Sequence, residues 1–133
     1  MSSKYILDSS AWIEYLGGSI KGTQVAKLLE TRAIGTSIIA IAELADKFER
    51  EDRNFEKTLT FIQGKSLILP FTLSIACSAA KIKKEMRAKR NKFGLVDAIH
   101  LATAFQQKAI FVTADNDFRD IKNVLLLEQI SIR

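Results

Sequence analysis

The sequence predicts a single α/β domain of three layers, residues 1–133, with a central parallel sheet of five strands flanked by helices. Three observations carry that expectation. Short apolar runs alternate with helix-length amphipathic stretches, the pattern of strand–helix–strand units joined by right-handed crossovers. The runs lack polar alternation, as in Tyr5, Ile6 and Leu7, so they read as strands buried on both faces. A chain of 133 residues suffices for one core burying roughly two thirds of the unfolded surface, with no room for a second domain.

The first strand stops at Asp8, where Ser9, Ser10 and Ala11 suit a helix start. Gly17, Gly18 and Gly22 interrupt the pattern, and Thr23 can cap a second helix that carries Val25, Ala26, Leu28 and Leu29 on one side and ends near Arg32. Ile34 to Ser37 is the second strand. A helix from about Ile38 to Arg50 follows, with Ile38, Ile41, Leu44, Ala45 and Phe48 inward. Asp52 can cap another helix with Phe55, Leu59 and Ile62 inward, which Gly64 ends. Ser66 to Phe71 supplies the third strand, with Pro70 near its end. A long helix starts at Thr72 or Ser74, and its second half, Lys81 to Lys92, carries seven bases against the single Glu85. Leu95 to Gln107 has apolar or small residues on nearly every side, which implies a helix buried almost all round. Ala109 to Thr113 and Val124 to Leu127 complete the five strands.

Twenty basic residues against fifteen acidic ones leave a net charge of +5 and a pI near 9.4, which favours polyanions or an acidic protein as partners. Cys77 is the only cysteine, so an internal disulfide is excluded; beside Ile75, Ala76 and Ala79 it reads as a small core residue. No apolar run reaches the length of a membrane span, and Met-Ser-Ser-Lys does not lead into a signal peptide. A soluble cytoplasmic protein with no membrane contact is the expectation.

The chemistry lies in carboxylates. Asp8 stands where a central strand hands over to a helix, and two readings remain open: a cap for the amides of Ser10 and Ala11, or a ligand-binding group in the rim where open α/β sheets take their ligands. Asp115 repeats the arrangement after the fourth strand, with Asn116, Asp117 and Phe118 running into a turn. Glu43 lies off the apolar stripe of its helix, in the second turn from the same sheet edge, with the small Ala40 beside it. Its plain reading is a solvated glutamate paired with Lys47 four residues on. Asp97, His100 and Thr103 form a polar stripe on an otherwise apolar helix. Asp97 reads as a cap, as a partner of Lys92, or as a desolvated carboxylate that requires a cation. His100, the only histidine, reads as a hydrogen-bonded orienter or a core residue. The Lys81 to Lys92 run reads as a solvated face or a nucleic-acid contact.

Four acids brought to one sheet edge repel one another unless something cationic joins them. No Lys or Arg lies within the motifs around Asp8, Asp97 and Asp115, and oxygen-only ligands select a hard divalent ion, Mg²⁺ or Mn²⁺. On a basic protein such a pocket suits a phosphodiester.

In their order and spacing, YILDSSAWIEYL, SIIAIAELADKF, GLVDAIHLATA and FVTADNDF resemble the PIN-domain nucleases. In size and layout the chain is similar to VapC-type toxins of toxin–antitoxin pairs, and the resemblance spans essentially its whole length. It implies a PIN-like fold in which Asp8, Glu43, Asp97 and Asp115 are the catalytic, metal-binding acids, with Asp117 an outer carboxylate that family members use variably. Ser10 and Thr113 match positions that carry a hydroxyl and would orient those carboxylates. It further implies a metal-dependent endoribonuclease in which activated water attacks in line to leave a 5′-phosphate and a 3′-hydroxyl, a homodimer, and a small cognate antitoxin protein. Lys84, Arg87, Lys89, Arg90 and Lys92 are then the expected RNA contacts. The alternative on the same fold is a catalytically inactive basic module that binds RNA or protein.

Overall fold

A computed structural model describes residues 3–31 and 33–129. In chain order the elements are β1 (Tyr5–Leu7), α1 (Ser9–Leu16), α2 (Ile20–Leu29), β2 (Ile34–Ser37), α3 (Ile38–Arg50), α4 (Glu56–Lys65), β3 (Leu67–Leu69), α5 (Leu73–Arg87), α6 (Leu95–Gln107), β4 (Ile110–Thr113), a single 3-10 turn (Asn116–Phe118) and β5 (Val124–Leu126). The sheet order is β3-β2-β1-β4-β5 and every neighbouring pair is parallel. From β1 the chain steps outward through β2 to β3, then crosses back to lay β4 on the other side of β1. The strand order therefore reverses between β1 and β4, and the carboxyl ends of those two strands form the crevice where open α/β sheets place their ligands.

The strand period divides the core in two. Ile6 and Phe111 face a cluster with Ile75, Ala79, Phe93, Ile99 and Phe118, while Leu7 and Val112 face one with Trp12, Val25, Leu44 and Ile62. Trp12 is fully buried, worth roughly 3 kcal/mol in area removed from water, and its indole N–H reaches Thr36 Oγ1 at 3.0 Å. On α6 every residue from Ala98 to Ala104 is buried, while Leu95, Val96 and Phe105 near its ends are exposed.

Several local expectations are corrected. The cap of α2 is Ser19, whose hydroxyl accepts the Gly22 amide at 3.0 Å; the Thr23 hydroxyl instead donates to Ile20 O at 2.6 Å. Gly22 falls within the helix because α1 crosses there: a Cβ would stand 2.3 Å from Glu14 O. This helix ends at Leu29; Arg32, near which its end was expected, lies outside the described residues. On α3 the buried residues are Ala40, Leu44 and Phe48, whereas Ile38 is 44% exposed, since Ser37 caps the helix and its first side chain turns outward. Asp52 does not cap α4; it occupies a turn at φ 53°, and Asn54 Oδ1 accepts the Glu56 amide at 2.8 Å. Gly64 lies inside α4, which ends at Lys65 with Ser66 as its cap. Strand β3 is only Leu67–Leu69, and α5 stops at Arg87, so Lys89 and Lys92 belong to a loop. Cys77 is exposed. Among the described residues, no helix is long and apolar enough to cross a membrane.

Candidate active site

Asp8 follows the last residue of β1 and caps α1. Its Oδ1 accepts the Ala11 amide at 2.9 Å and the Ser10 hydroxyl at 2.7 Å, and its Oδ2 accepts the Thr113 hydroxyl at 2.6 Å. The capping reading thus holds for Ala11, while Ser10 contributes its side chain. With 5% of its surface exposed, Asp8 is held above the usual carboxylate range by burial, against the opposing pull of the Thr113, Ser10 and Ala11 hydrogen bonds and of His100.

Thr113 and Ser10 join Asp8 to the segment that follows β4. Thr113 Oγ1 also accepts the Asp115 amide at 3.0 Å, and Ser10 Oγ accepts the Ala114 amide at 2.8 Å. The two hydroxyls stand 3.2 Å apart, but each has one proton and the shorter contact to Asp8 takes it. These residues are where the resemblance puts carboxylate-orienting hydroxyls.

Glu43, one turn into α3, does not pair with Lys47, which binds Glu51 at 2.7 Å. Its Oε1 accepts the Ser9 hydroxyl at 3.1 Å and contacts His100 Nε2 at 3.0 Å. An ionised Glu43 requires the proton on that ring nitrogen. Burial pushes the Glu43 carboxyl up, but the His100 hydrogen bond and charge and the Ser9 bond outweigh it, leaving the group below its ordinary value. His100 is itself buried and stacks on Phe111, ring centroids 5.6 Å apart, which fixes its plane. Ser9 was legible only as part of a helix start; its carboxylate partner lies on another element.

Asp97 occupies the first turn of α6, where its Oδ2 accepts the Gly94 amide at 2.8 Å. Burial raises its carboxyl, the Gly94 bond opposes that, and the charges of Asp115 and Asp117 raise it further. Asp115 caps the Asn116–Phe118 turn by accepting the Asp117 amide at 2.9 Å. Charge couples the acids: His100 lowers Asp8, Glu43 and Asp97, while Asp115 and Asp117 raise Asp97. Among the described residues no three His, Cys, Asp or Glu side chains converge closely enough to hold one ion as they stand. The donor chemistry nevertheless suits a hard cation. Asp8, Asp97, Asp115 and Asp117 have no Lys or Arg ion partner among the described residues. Among the described residues Glu43, Asp97 and Asp115 each bond the fold through one oxygen, while Glu43 Oε2, Asp97 Oδ1 and Asp115 Oδ2 accept no hydrogen bond; Asp8 bonds through both, Oδ1 twice and Oδ2 once.

Of the five expected RNA contacts, Lys84, Lys89 and Lys92 are exposed and have no acidic partner among the described residues. Arg87 and Arg90 direct their guanidiniums at main-chain carbonyls.

The family model of the PIN domain matches residues 5–124. No curated protein sequence matches the chain. Among solved structures, the fold is similar to that of a toxin-antitoxin complex from Klebsiella pneumoniae, with 21% identity, coverage of 96% of this chain and 100% of that one, and a TM-score of 0.76. It is also similar to VapBC2 from Rickettsia felis bound to a DNA fragment from their promoter, with 21% identity, coverage of 92% and 96%, and a TM-score of 0.73. A third relative in fold is VapC20 from Mycobacterium tuberculosis, described as a sarcin-ricin loop cleaving toxin, with 14% identity, coverage of 96% and 98%, and a TM-score of 0.67.

Proposed function

The chain belongs to the PIN-domain family, and from that premise we propose that it is an Mg²⁺- or Mn²⁺-dependent endoribonuclease, the toxin of a toxin–antitoxin pair. The observation that supports this most directly is the division of labour within the carboxylates: Glu43, Asp97 and Asp115 each tie one oxygen to the fold and leave the other without a donor among the described residues, and Asp8, bonded through both, keeps spare accepting capacity on Oδ2. That arrangement fits acids kept in place for a cation.

In this reading Asp8, Glu43, Asp97 and Asp115 hold the ion, with Asp117 outside them. When bound, it supplies the Lewis acidity that polarises a phosphoryl oxygen and acidifies a water molecule. Ser10 and Thr113 fix the orientation of Asp8, while Ser9 and His100 do the same for Glu43. Lys84, Lys89 and Lys92 offer exposed cations to the phosphates on either side of the cut, and the net charge of +5 draws the polyanion in. The similarity in fold to a sarcin-ricin loop cleaving toxin supports RNA as the substrate, and the similarity to toxin–antitoxin complexes supports a small antitoxin protein as a partner. A cytoplasmic homodimer completes the proposal.

The test is cleavage of an RNA panel with Mn²⁺ or Mg²⁺, with chelator, and with the Asp97→Asn variant. Cleavage that needs the metal and falls at least about a hundredfold in the variant is expected; equal activity in both proteins overturns the catalytic assignment. A second reading, an inactive basic module that binds RNA or protein, draws on the absence of three convergent ligands among the described residues. It requires RNA or protein binding with no cleavage under any metal.

A further inference from the structure

We propose that Arg87 and Arg90 are positioning residues, a brace from the last residue of α5 and the loop after it that holds the two backbone segments carrying Asp97 and Asp115. The inference rests on the nuclease reading of those acids, but the brace itself is a matter of geometry. Arg87 Nε donates to Phe93 O at 2.6 Å. Phe93 is 1% exposed and immediately precedes Gly94, whose amide grips Asp97 Oδ2 at 2.8 Å. Arg90 holds the other segment: Nη1 donates to Asp117 O at 3.2 Å and Nη2 to Arg119 O at 2.6 Å. Those carbonyls lie within and just beyond the turn that Asp115 caps through the Asp117 amide.

An apolar floor supports both segments. Phe93 meets Phe118 edge-on at 5.7 Å, and Phe118 packs on Phe111 at 5.0 Å. Aromatic contact sets the separation of the segments, and the guanidiniums hold from the carbonyl side the same peptide planes whose Gly94 and Phe118 amides bond Asp97 Oδ2 and Asp115 O. Arg90 also lines the recess of about 220 Å³ between the loop and the turn, bounded by Lys92, Phe93, Asn116 and Asp117. A planar fork with donors in fixed directions can serve two carbonyls at once; an ammonium on a flexible stem cannot hold both in the same register. The acids repel one another, so the backbone beneath them needs such restraint. Arg87 and Arg90 therefore act on the reaction through Asp97 and Asp115, while the neighbouring Lys89 and Lys92 remain for RNA.

The test uses the full chain as Arg87→Lys, Arg90→Lys and Arg90→Gln, with three readouts. Amide hydrogen exchange on the metal-free protein follows Gly94 and Asp117. In both Arg90 variants the Asp117 amide should exchange about tenfold faster with Gly94 unchanged, and in Arg87→Lys the pattern should reverse. On an RNA hairpin that the wild type cleaves, kcat should fall about tenfold to a hundredfold with KM little changed, because a small displacement of the reacting groups is costly. The affinity of the same hairpin in chelator should stay within about twofold of wild type, since no phosphate contact is lost. A direct RNA contact gives a different result: Arg90→Lys keeps RNA affinity, Arg90→Gln loses it, and exchange at Asp117 is unmoved. That result overturns the brace, as does unchanged exchange in every variant. If the wild type cleaves no RNA, the nuclease reading fails while the exchange pattern still decides the brace.

Discussion

Replacing Thr113 by Val tests the link between Asp8 and the segment after β4 without changing shape. Thr113 is fully buried, and its hydroxyl both donates to Asp8 Oδ2 at 2.6 Å and accepts the Asp115 amide at 3.0 Å. Loss of a short bond to a buried carboxylate removes roughly 1.5–3 kcal/mol, and the second bond about 1 kcal/mol. The added methyl returns about 1 kcal/mol through apolar burial. The net loss is about 2 kcal/mol, which for a chain of this size lowers Tm by roughly 6–10 °C. Its pH dependence has a definite sign. Burial already raises Asp8 above its ordinary 3.8, and losing the Thr113 donor raises it further. The native state then binds more protons than the unfolded one, so stability declines as pH rises through the folded value. The deficit of Thr113→Val should be smallest near pH 3.8 and grow toward neutrality. Thermal melts in chelator across that range measure it, with Thr113→Ser, which keeps the hydroxyl, as the comparison. A valine variant that melts within about 1 °C of wild type at neutral pH, with an unaltered pH slope, refutes the reasoning.

Asp97→Asn retains an oxygen for the Gly94 amide but removes a charge whose carboxyl is raised by burial and by Asp115 and Asp117. In chelator it should melt at or above wild type at neutral pH, lose that advantage as pH falls to the ordinary 3.8, and gain less from Mn²⁺; an equal metal-induced shift in both proteins contradicts this. Gly22→Ala forces a Cβ to within 2.3 Å of Glu14 O and should cost about 1–3 kcal/mol as α1 and α2 separate; a melt superimposable on wild type would show that the helices have slack. His100→Phe retains an aromatic ring against Phe111 but removes the bond to Glu43. The Glu43 titration, followed by carboxyl carbon NMR, should move upward in the variant, and an unmoved titration would remove His100 as the cause of its lowering.

The parts of the fold legible in the sequence were those set by local signals strong enough to exclude alternatives. The strand ending at Asp8, the bounds of α3 and the bounds of α6 follow from an abrupt change of hydrophobic period, and they stand as expected. Where two residues of similar capping strength compete, as Ser19 and Thr23 do, the choice is made by the packing of α2 on α1, which no local pattern encodes. Cys77 was misplaced for a related reason: Ile75 and Ala79 form the buried face of α5, and a residue midway between them points to the other side. Glu43 illustrates the limit at the site. Its sequence neighbours suggest a pairing with Lys47, but its partners Ser9 and His100 lie 34 and 57 residues away.

Consider, finally, the order in which the centre can come into being. The bond that orients Asp8 reaches across 105 residues to Thr113, and the strand it ends on sits between β2 and β4, the second of which is made only after α6. A chain stopped before β4 already holds Glu43 with Ser9 and His100, but it carries Asp8 without Thr113 and lacks Asp115. The four acids therefore come together only after β4 has taken its place beside β1.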